Sequence, residues 1–128
     1  MQDVYRWIED HHDEQVAELQ TLLRQPSISA QKIGLDDCAE LLKGQMLENG
    51  ISNVRRIPVE SGPDIVYATE RAADPDAKTL LCYGHYDVQP PEPLEKWISP
   101  PFEANIIDGV IYARGATDDK TGVLALVR

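Results

Sequence analysis

The sequence has few of the features that mark membrane, secreted or nucleic-acid-binding proteins. It contains only two cysteines and no apolar run long enough for a transmembrane helix. Its 12 basic residues are outnumbered by 22 acidic ones, and the net charge of −10 argues against a surface for nucleic acid or anionic membrane. The first residues lack the apolar core of a signal peptide. We therefore expect a cytoplasmic protein with reduced cysteines that binds neither nucleic acid nor membrane.

Length and composition are those of one globular domain. A chain of 128 residues can bury a core, and its hydrophobic content of 42% and charged content of 27% are ordinary. Hydrophobic periodicity predicts two amphipathic helices, at residues 4–24 and 35–48, and a further helix after Lys120. Strands are expected at residues 51–59, 65–70, 80–83, 103–107 and 110–113. This order predicts an α/β sandwich whose mixed sheet has residues 80–83 as a buried central strand, flanked by the helices.

Two polar residues follow the strand expected at residues 80–83, directly after Gly84. Because His85 and Asp87 are two positions apart on an extended chain, their side chains point the same way. The carboxyl ends of strands are where open α/β sheets bind ligands. A neutral imidazole is a good zinc ligand, and a nearby carboxylate can hold the other ring N–H. The alternative to a metal ligand is a histidine that is simply exposed to solvent. Cys82 is disfavoured as a ligand because its side chain points to the opposite side of the strand.

A second cluster follows the strand expected at residues 110–113. Asp118 and Asp119 are adjacent carboxylates, which repel each other unless a positive group lies beside them. A capping role at the start of the last helix would explain Asp119 alone. It would not explain two polar clusters, each placed at the end of a strand. The pattern therefore indicates a cation site to which His85 and Asp118 contribute.

Several spaced motifs together resemble the two-zinc metallopeptidase family, which includes glutamate carboxypeptidase, aminoacylase, succinyl-diaminopimelate desuccinylase and the cytosolic carnosinase-like dipeptidases. The resemblance covers most of the chain and is strongest to the dipeptidase branch. The motifs that carry it are residues 84–90, Trp97, Pro101-Phe102, Asp108-Gly109, residues 112–115 and Asp118-Asp119-Lys120.

The resemblance assigns a role to each candidate site residue. It implies that His85 binds one zinc ion, that Asp118 bridges two, and that Asp87 is the catalytic-site carboxylate that orients His85. A complete domain would hold two Zn2+ ions, with Mn2+ or Co2+ as possible substitutes. The family's Glu-Glu pair, its remaining ligands and its dimerisation domain would all follow Arg128. Residues 1–128 are therefore expected to be the N-terminal part of a metallopeptidase catalytic domain, with a truncated fold.

The implied activity is zinc-dependent hydrolysis of the amide bond of dipeptides or related N-acyl amino acids by a metal-bound water. The parent enzyme would be a homodimer. One alternative is an N-acyl amino acid deacylase or desuccinylase, and another is a non-catalytic fragment that acts as an interaction module. The resemblance also implies a cis peptide bond between Asp118 and Asp119. Thr121 departs from the family, which has glycine there, and its Cβ could crowd the last helix against the sheet.

Overall fold

The computed structural model describes residues 2–128, which form four helices and four short strands. The helices are α1 (Gln2–Asp10), α2 (His12–Arg24), α3 (Leu35–Glu48) and α4 (Thr121–Val127), and the strands are β1 (Asn53–Ile57), β2 (Ile65–Thr69), β3 (Asn105–Ile107) and β4 (Val110–Tyr112). Among these residues, none of the helices is both long and apolar enough to cross a membrane.

The core lies where α2, α3 and α4 meet. The buried apolar side chains of this cluster come from all three helices and from Tyr86 on the segment after Gly84. They are Leu22, Cys38, Ala39, Leu42, Met46, Tyr86, Val123 and Leu124. The α/β class predicted from the sequence is confirmed. Within residues 2–128, however, the strands form two small antiparallel sheets and not the single mixed sheet that was expected.

The helix predicted at residues 4–24 is divided at His11 into α1 and α2. His11 has φ −111° and ψ 11°, and its Nδ1 donates a hydrogen bond to the carbonyl oxygen of Trp7 at 2.8 Å. The same carbonyl oxygen also accepts from the backbone N–H of His11 at 3.1 Å, so the helical hydrogen bonding continues although the backbone angles change. Only α2 packs into the core, whereas α1 has no buried residue.

The strands form two antiparallel hairpins. β1 pairs with β2, with Asn53 opposite Thr69, and β3 pairs with β4, with Asn105 opposite Tyr112. The second hairpin turns at Asp108 and Gly109, which have φ values of +50° and +79°. Two consecutive positive φ values suit the turn types that match the twist of a hairpin, and aspartate and glycine tolerate them best. The hairpin predicted from the Asp-Gly pair is therefore confirmed.

The prediction that residues 80–83 form a buried central strand is wrong for this chain. The segment belongs to neither hairpin, and Leu80, Leu81 and Tyr83 are 85%, 86% and 83% exposed. Cys82, expected to be buried with them, is also exposed, whereas Cys38 is buried. A strand is buried on both faces only when neighbouring strands and helices cover it. No strand among residues 2–128 lies beside this segment; the first pairing comes at Val88, which forms a parallel bridge with Ile28.

The contrast between Leu22 and Leu80 gives a test of the core. Leu22→Ala should lower the free energy of unfolding by about 2–5 kcal/mol, because Leu22 is fully buried and its loss leaves a cavity. Leu80→Ala, the matched control, should change it by no more than about 0.5 kcal/mol. Urea unfolding followed by circular dichroism measures both values. Equal losses would contradict the described core.

Candidate functional site

His85 and Asp118 meet although they lie far apart in the sequence. His85 follows the exposed segment at Gly84, and Asp118 lies in the irregular turn Ala116–Lys120 that precedes α4. Nε2 of His85 is 2.9 Å from Oδ1 of Asp118. The imidazole is partly exposed and the carboxylate largely so, which leaves the pair open to solvent. The structure thus brings together the two residues predicted to share a cation.

Asp87 holds the other side of the imidazole in two ways. Nδ1 of His85 donates a hydrogen bond to the Asp87 carbonyl oxygen at 3.0 Å, and the carboxylate Oδ1 lies 3.3 Å from the same nitrogen. The backbone contact is the shorter, so the orienting role predicted for the side chain is shared with the main chain. This contact keeps a proton on Nδ1 and directs Nε2 toward Asp118.

The partners of His85 control its charge. Burial, the largest single influence, disfavours the imidazolium, but the Asp87 carbonyl, the Asp118 hydrogen bond and the charges of both carboxylates together outweigh it. The pKa of His85 is therefore raised from its ordinary value of about 6.5. The Asp87 carbonyl oxygen and the Asp118 carboxylate are both hydrogen-bond acceptors. His85 can donate to both at once only when its ring is protonated on both nitrogens. In the protonated ring, the Nε2 proton lies between Nε2 of His85 and Oδ1 of Asp118, which are the two atoms predicted to share a cation.

Asp119 does not have the capping role considered from the sequence. No side-chain cap is formed at the start of α4; instead Oδ2 of Asp119 accepts a long hydrogen bond of 3.4 Å from the backbone N–H of His85. Gly122 makes this placement possible, since a Cβ there would overlap the Asp119 carboxylate. Asp119 therefore contacts the His85 backbone, a role that the sequence pattern did not reveal.

The turn that presents Asp118 has irregular backbone geometry. The peptide bond between Asp118 and Asp119 is cis, as the resemblance implied, and a second cis bond joins Glu92 to Pro93. Thr121, the local departure from the family, does not crowd α4. Its side chain is exposed, and its hydroxyl donates to the carbonyl oxygen of Ala116, while Val123 and Leu124 pack into the core.

Trp97 and Arg114 lie beside the proline-rich loop that follows Asp87. Trp97 Nε1 donates to the Pro91 carbonyl oxygen at 2.7 Å, and the Arg114 guanidinium lies 5.2 Å from the centre of the indole ring. A guanidinium at this distance from an aromatic face is attracted to it. These contacts agree with the packing role expected for Trp97.

The donor set is compatible with zinc but incomplete. An imidazole nitrogen and a carboxylate oxygen are both zinc ligands. Within residues 2–128, however, no group of three or more His, Cys, Asp or Glu side chains is assembled for a metal ion. His85 and Asp118 fit as two members of a larger ligand set.

Comparisons with known proteins agree with this architecture. Residues 81–128 match the family model described as Peptidase family M20/M25/M40. The chain is 39% identical over 113 residues to a succinyl-diaminopimelate desuccinylase of Paracidovorax citrulli, covering 83% of this chain and 28% of that protein. Human carnosine dipeptidase 1 superposes with a TM-score of 0.85 at 29% identity, over 98% of this chain and 29% of that one.

A third comparison is with the M20 family metallo-carboxypeptidase Sso-CP2 from Sulfolobus solfataricus, with a TM-score of 0.82 and 38% identity over 89% of this chain and 25% of that one. The fold of this chain is thus shared with these two peptidases of known structure. Residues 81–128 match the model of peptidase family M20/M25/M40, and the resemblance seen in the sequence is confirmed. The chain spans little more than a quarter of the length of these relatives.

The raised pKa of His85 can be tested without metal. Asp118→Asn should lower it, because the variant loses the negative charge beside Nε2. The stabilisation that the charged ring gives the fold is complete below its ordinary pKa and is lost as the pH rises through the raised value. Titration of the His85 ring protons by NMR measures the shift, with Asp76→Asn as the control on an exposed turn. An unchanged or higher pKa in Asp118→Asn would refute this account.

Proposed function

We propose that these residues form the N-terminal part of the catalytic domain of a zinc-dependent hydrolase that cleaves the amide bond of dipeptides or related N-acyl amino acids. The observation that carries the proposal is the meeting of His85 Nε2 and Asp118 Oδ1 at 2.9 Å within a fold shared with metallopeptidases. Names of relatives support both substrate classes, since one is a desuccinylase and another a carnosine dipeptidase. The dipeptidase is our first choice, because that match spans nearly the whole chain.

Each of the three predicted residues has a role that its geometry supports. His85 would bind one zinc ion through Nε2, and the Asp118 carboxylate, being largely exposed, can present its two oxygens to two ions. Asp87 keeps the proton on Nδ1, which leaves the lone pair of Nε2 for the metal once the second proton has gone. Because that proton must leave first, zinc should compete with it and bind more weakly at low pH.

Zinc supplies the chemistry that the chain's side chains lack: when bound, it activates a water molecule and polarises the amide carbonyl. Mn2+ or Co2+ would serve the same donor types. The resemblance supports the remaining parts of the proposal, which are a general base and further ligands elsewhere in the protein, a homodimer and a cytoplasmic location.

The role of Asp87 can be measured in the full-length protein. Asp87→Asn should reduce hydrolysis of dipeptides by roughly 10–100-fold, the usual effect of losing a carboxylate that supports a ligating histidine. His85→Ala should cost more, because it removes the ligand itself. Asp76→Asn and His12→Ala are matched controls at exposed positions. If His85→Ala retained wild-type activity, the proposal would be wrong; preference for N-succinyl amino acids over dipeptides would select the desuccinylase alternative.

The isolated 128-residue chain should bind zinc weakly and show no measurable turnover, because its described residues bring together two donors and the resemblance places the general base elsewhere in the protein. Assays with zinc and a panel of dipeptides, at enzyme concentrations far above those needed for the full-length protein, test this. Zinc-dependent hydrolysis by the purified chain would show that the account of the missing groups is incorrect. An interaction module would instead leave the full-length protein inactive as well.

A further inference from the structure

We propose that residues 22–28, the end of α2 and the segment after it, form a support that holds His85 and Asp118 together, with Ser27 and Lys120 as positioning residues. The inference rests on the proposed function, since it concerns how that site is built. Neither residue touches the atoms that would bind the metal. Each instead fixes one of the two segments that carry them.

Ser27 fixes the segment that carries His85. Its Oγ, which is fully buried, donates a hydrogen bond of 2.6 Å to the carbonyl oxygen of Tyr86. Its own carbonyl oxygen accepts a hydrogen bond of 2.8 Å from the backbone N–H of Val88. Ser27 therefore holds the chain on both sides of Asp87, the residue that orients the imidazole.

The segment passes from exposed to buried within three residues, at the point where Ser27 contacts it. Tyr83 is 83% exposed, whereas Tyr86 is 8% exposed. Ile28 adds a parallel bridge to Val88. Residues 80–83 have no neighbouring strand within residues 2–128, and the bonds to Ser27 and Ile28 join the chain that follows them to the segment after α2.

Lys120 fixes the segment that carries Asp118. Its side chain is fully buried, and Nζ donates to the carbonyl oxygens of Leu22 at 3.0 Å and Gln25 at 2.6 Å. The last carbonyl groups of a helix have no partner within the helix and carry its partial negative charge. Lys120 satisfies two of them from a different element, and so joins the turn that presents Asp118 to the end of α2.

Gly115 allows the two supported segments to pack together. A Cβ at Gly115 would lie 2.7 Å from Cγ1 of Val88 and 3.4 Å from Cδ of Lys120. Because Gly115 has no side chain, Val88 and Lys120 can both pack against it. Val88 is next to Asp87, and Lys120 is two residues after Asp118. Residues 22–28 thus contact both segments near their functional residues.

A purely stabilising role would not require these residue types. Burial of an ammonium group carries a desolvation cost that an apolar side chain of similar length would avoid. The ammonium group instead fixes a position, because it must lie within hydrogen-bond distance of the Leu22 and Gln25 carbonyl oxygens at the same time. We infer that Ser27 and Lys120 set the distance between His85 and Asp118.

The test compares variants that remove a hydrogen bond from Ser27 or Lys120, which we call anchor variants, with control variants that change other hydrogen bonds or lower the free energy of unfolding. Ser27→Ala and Lys120→Met each remove an anchor. Thr21→Ala is matched to the first, because the Thr21 hydroxyl also donates to a backbone carbonyl of α2 at 2.9 Å, away from the site. Lys43→Met is matched to the second, and Leu42→Ala lowers core stability without removing a hydrogen bond to either segment.

Two readouts are needed. In the metal-free 128-residue chain, the nuclear Overhauser contacts between the His85 ring protons and the Asp118 β-protons report the approach of the two side chains. In the full-length protein, competition with a chromophoric chelator reports zinc affinity. We expect both anchor variants to lose the contact and to weaken zinc binding by roughly 10–100-fold, while the three control variants retain both properties.

The outcomes separate this inference from the proposed function. Wild-type zinc affinity and an intact His85–Asp118 contact in Ser27→Ala would overturn the inference, as would an equal loss in Leu42→Ala. If Lys120→Met does not fold, Ser27→Ala decides alone, since it removes a single oxygen atom. A wild-type protein that shows the contact but neither binds zinc nor hydrolyses amides would refute the proposed function, and the contact in the variants would still decide the positioning role.

Discussion

The buried ammonium of Lys120 is the constraint on which the arrangement of this chain depends. A charged group removed from water must find polar partners, and Lys120 finds them in the carbonyl oxygens of Leu22 and Gln25 at the end of α2. Once they are engaged, the turn before α4 lies against α2, and Val123 and Leu124 of α4 reach the core. One electrostatic requirement thus links helix packing to the position of Asp118.

The two sides of the His85 ring have different surroundings. The side of His85 that faces Asp118 is open to solvent and exchangeable ligands, whereas its other side is held by the Asp87 backbone. Such a division would suit the ligand role proposed for His85, in which the ring keeps its orientation while a metal ion replaces the proton on Nε2. The raised pKa of His85 follows from the same geometry, because the acceptors that would attract a cation also attract a proton.

Sequence reasoning succeeded where the signal was local. The Asp108-Gly109 pair identified a hairpin, and the position of His85 and Asp118 after apolar segments indicated that they would converge, as they do. The roles of these residues as ligands remain predictions. The single helix expected at residues 4–24 is divided at His11, where the backbone angles leave the helical range, and hydrophobic periodicity does not register such a local change.

The misses share a physical cause, which is dependence on contacts between distant segments. Leu80 and Leu81 have the composition of a buried strand, but composition does not supply the neighbours that bury it. Lys120 follows two aspartates and has the local pattern of a solvated charge, yet its partners lie at the other end of the sequence. Ser27, a short polar residue after a proline, gives no sign of its bond to Tyr86.

The exposed segment at residues 80–83 has a consequence for handling the chain in solution. Leu80, Leu81, Cys82 and Tyr83 carry no charge and no proline, and their backbone has no strand beside it within residues 2–128. An exposed apolar segment without charge or proline favours intermolecular β-pairing and aggregation. We expect chains at high concentration to associate through residues 80–83, so the solubility of this chain should depend on covering the exposed apolar segment that precedes His85.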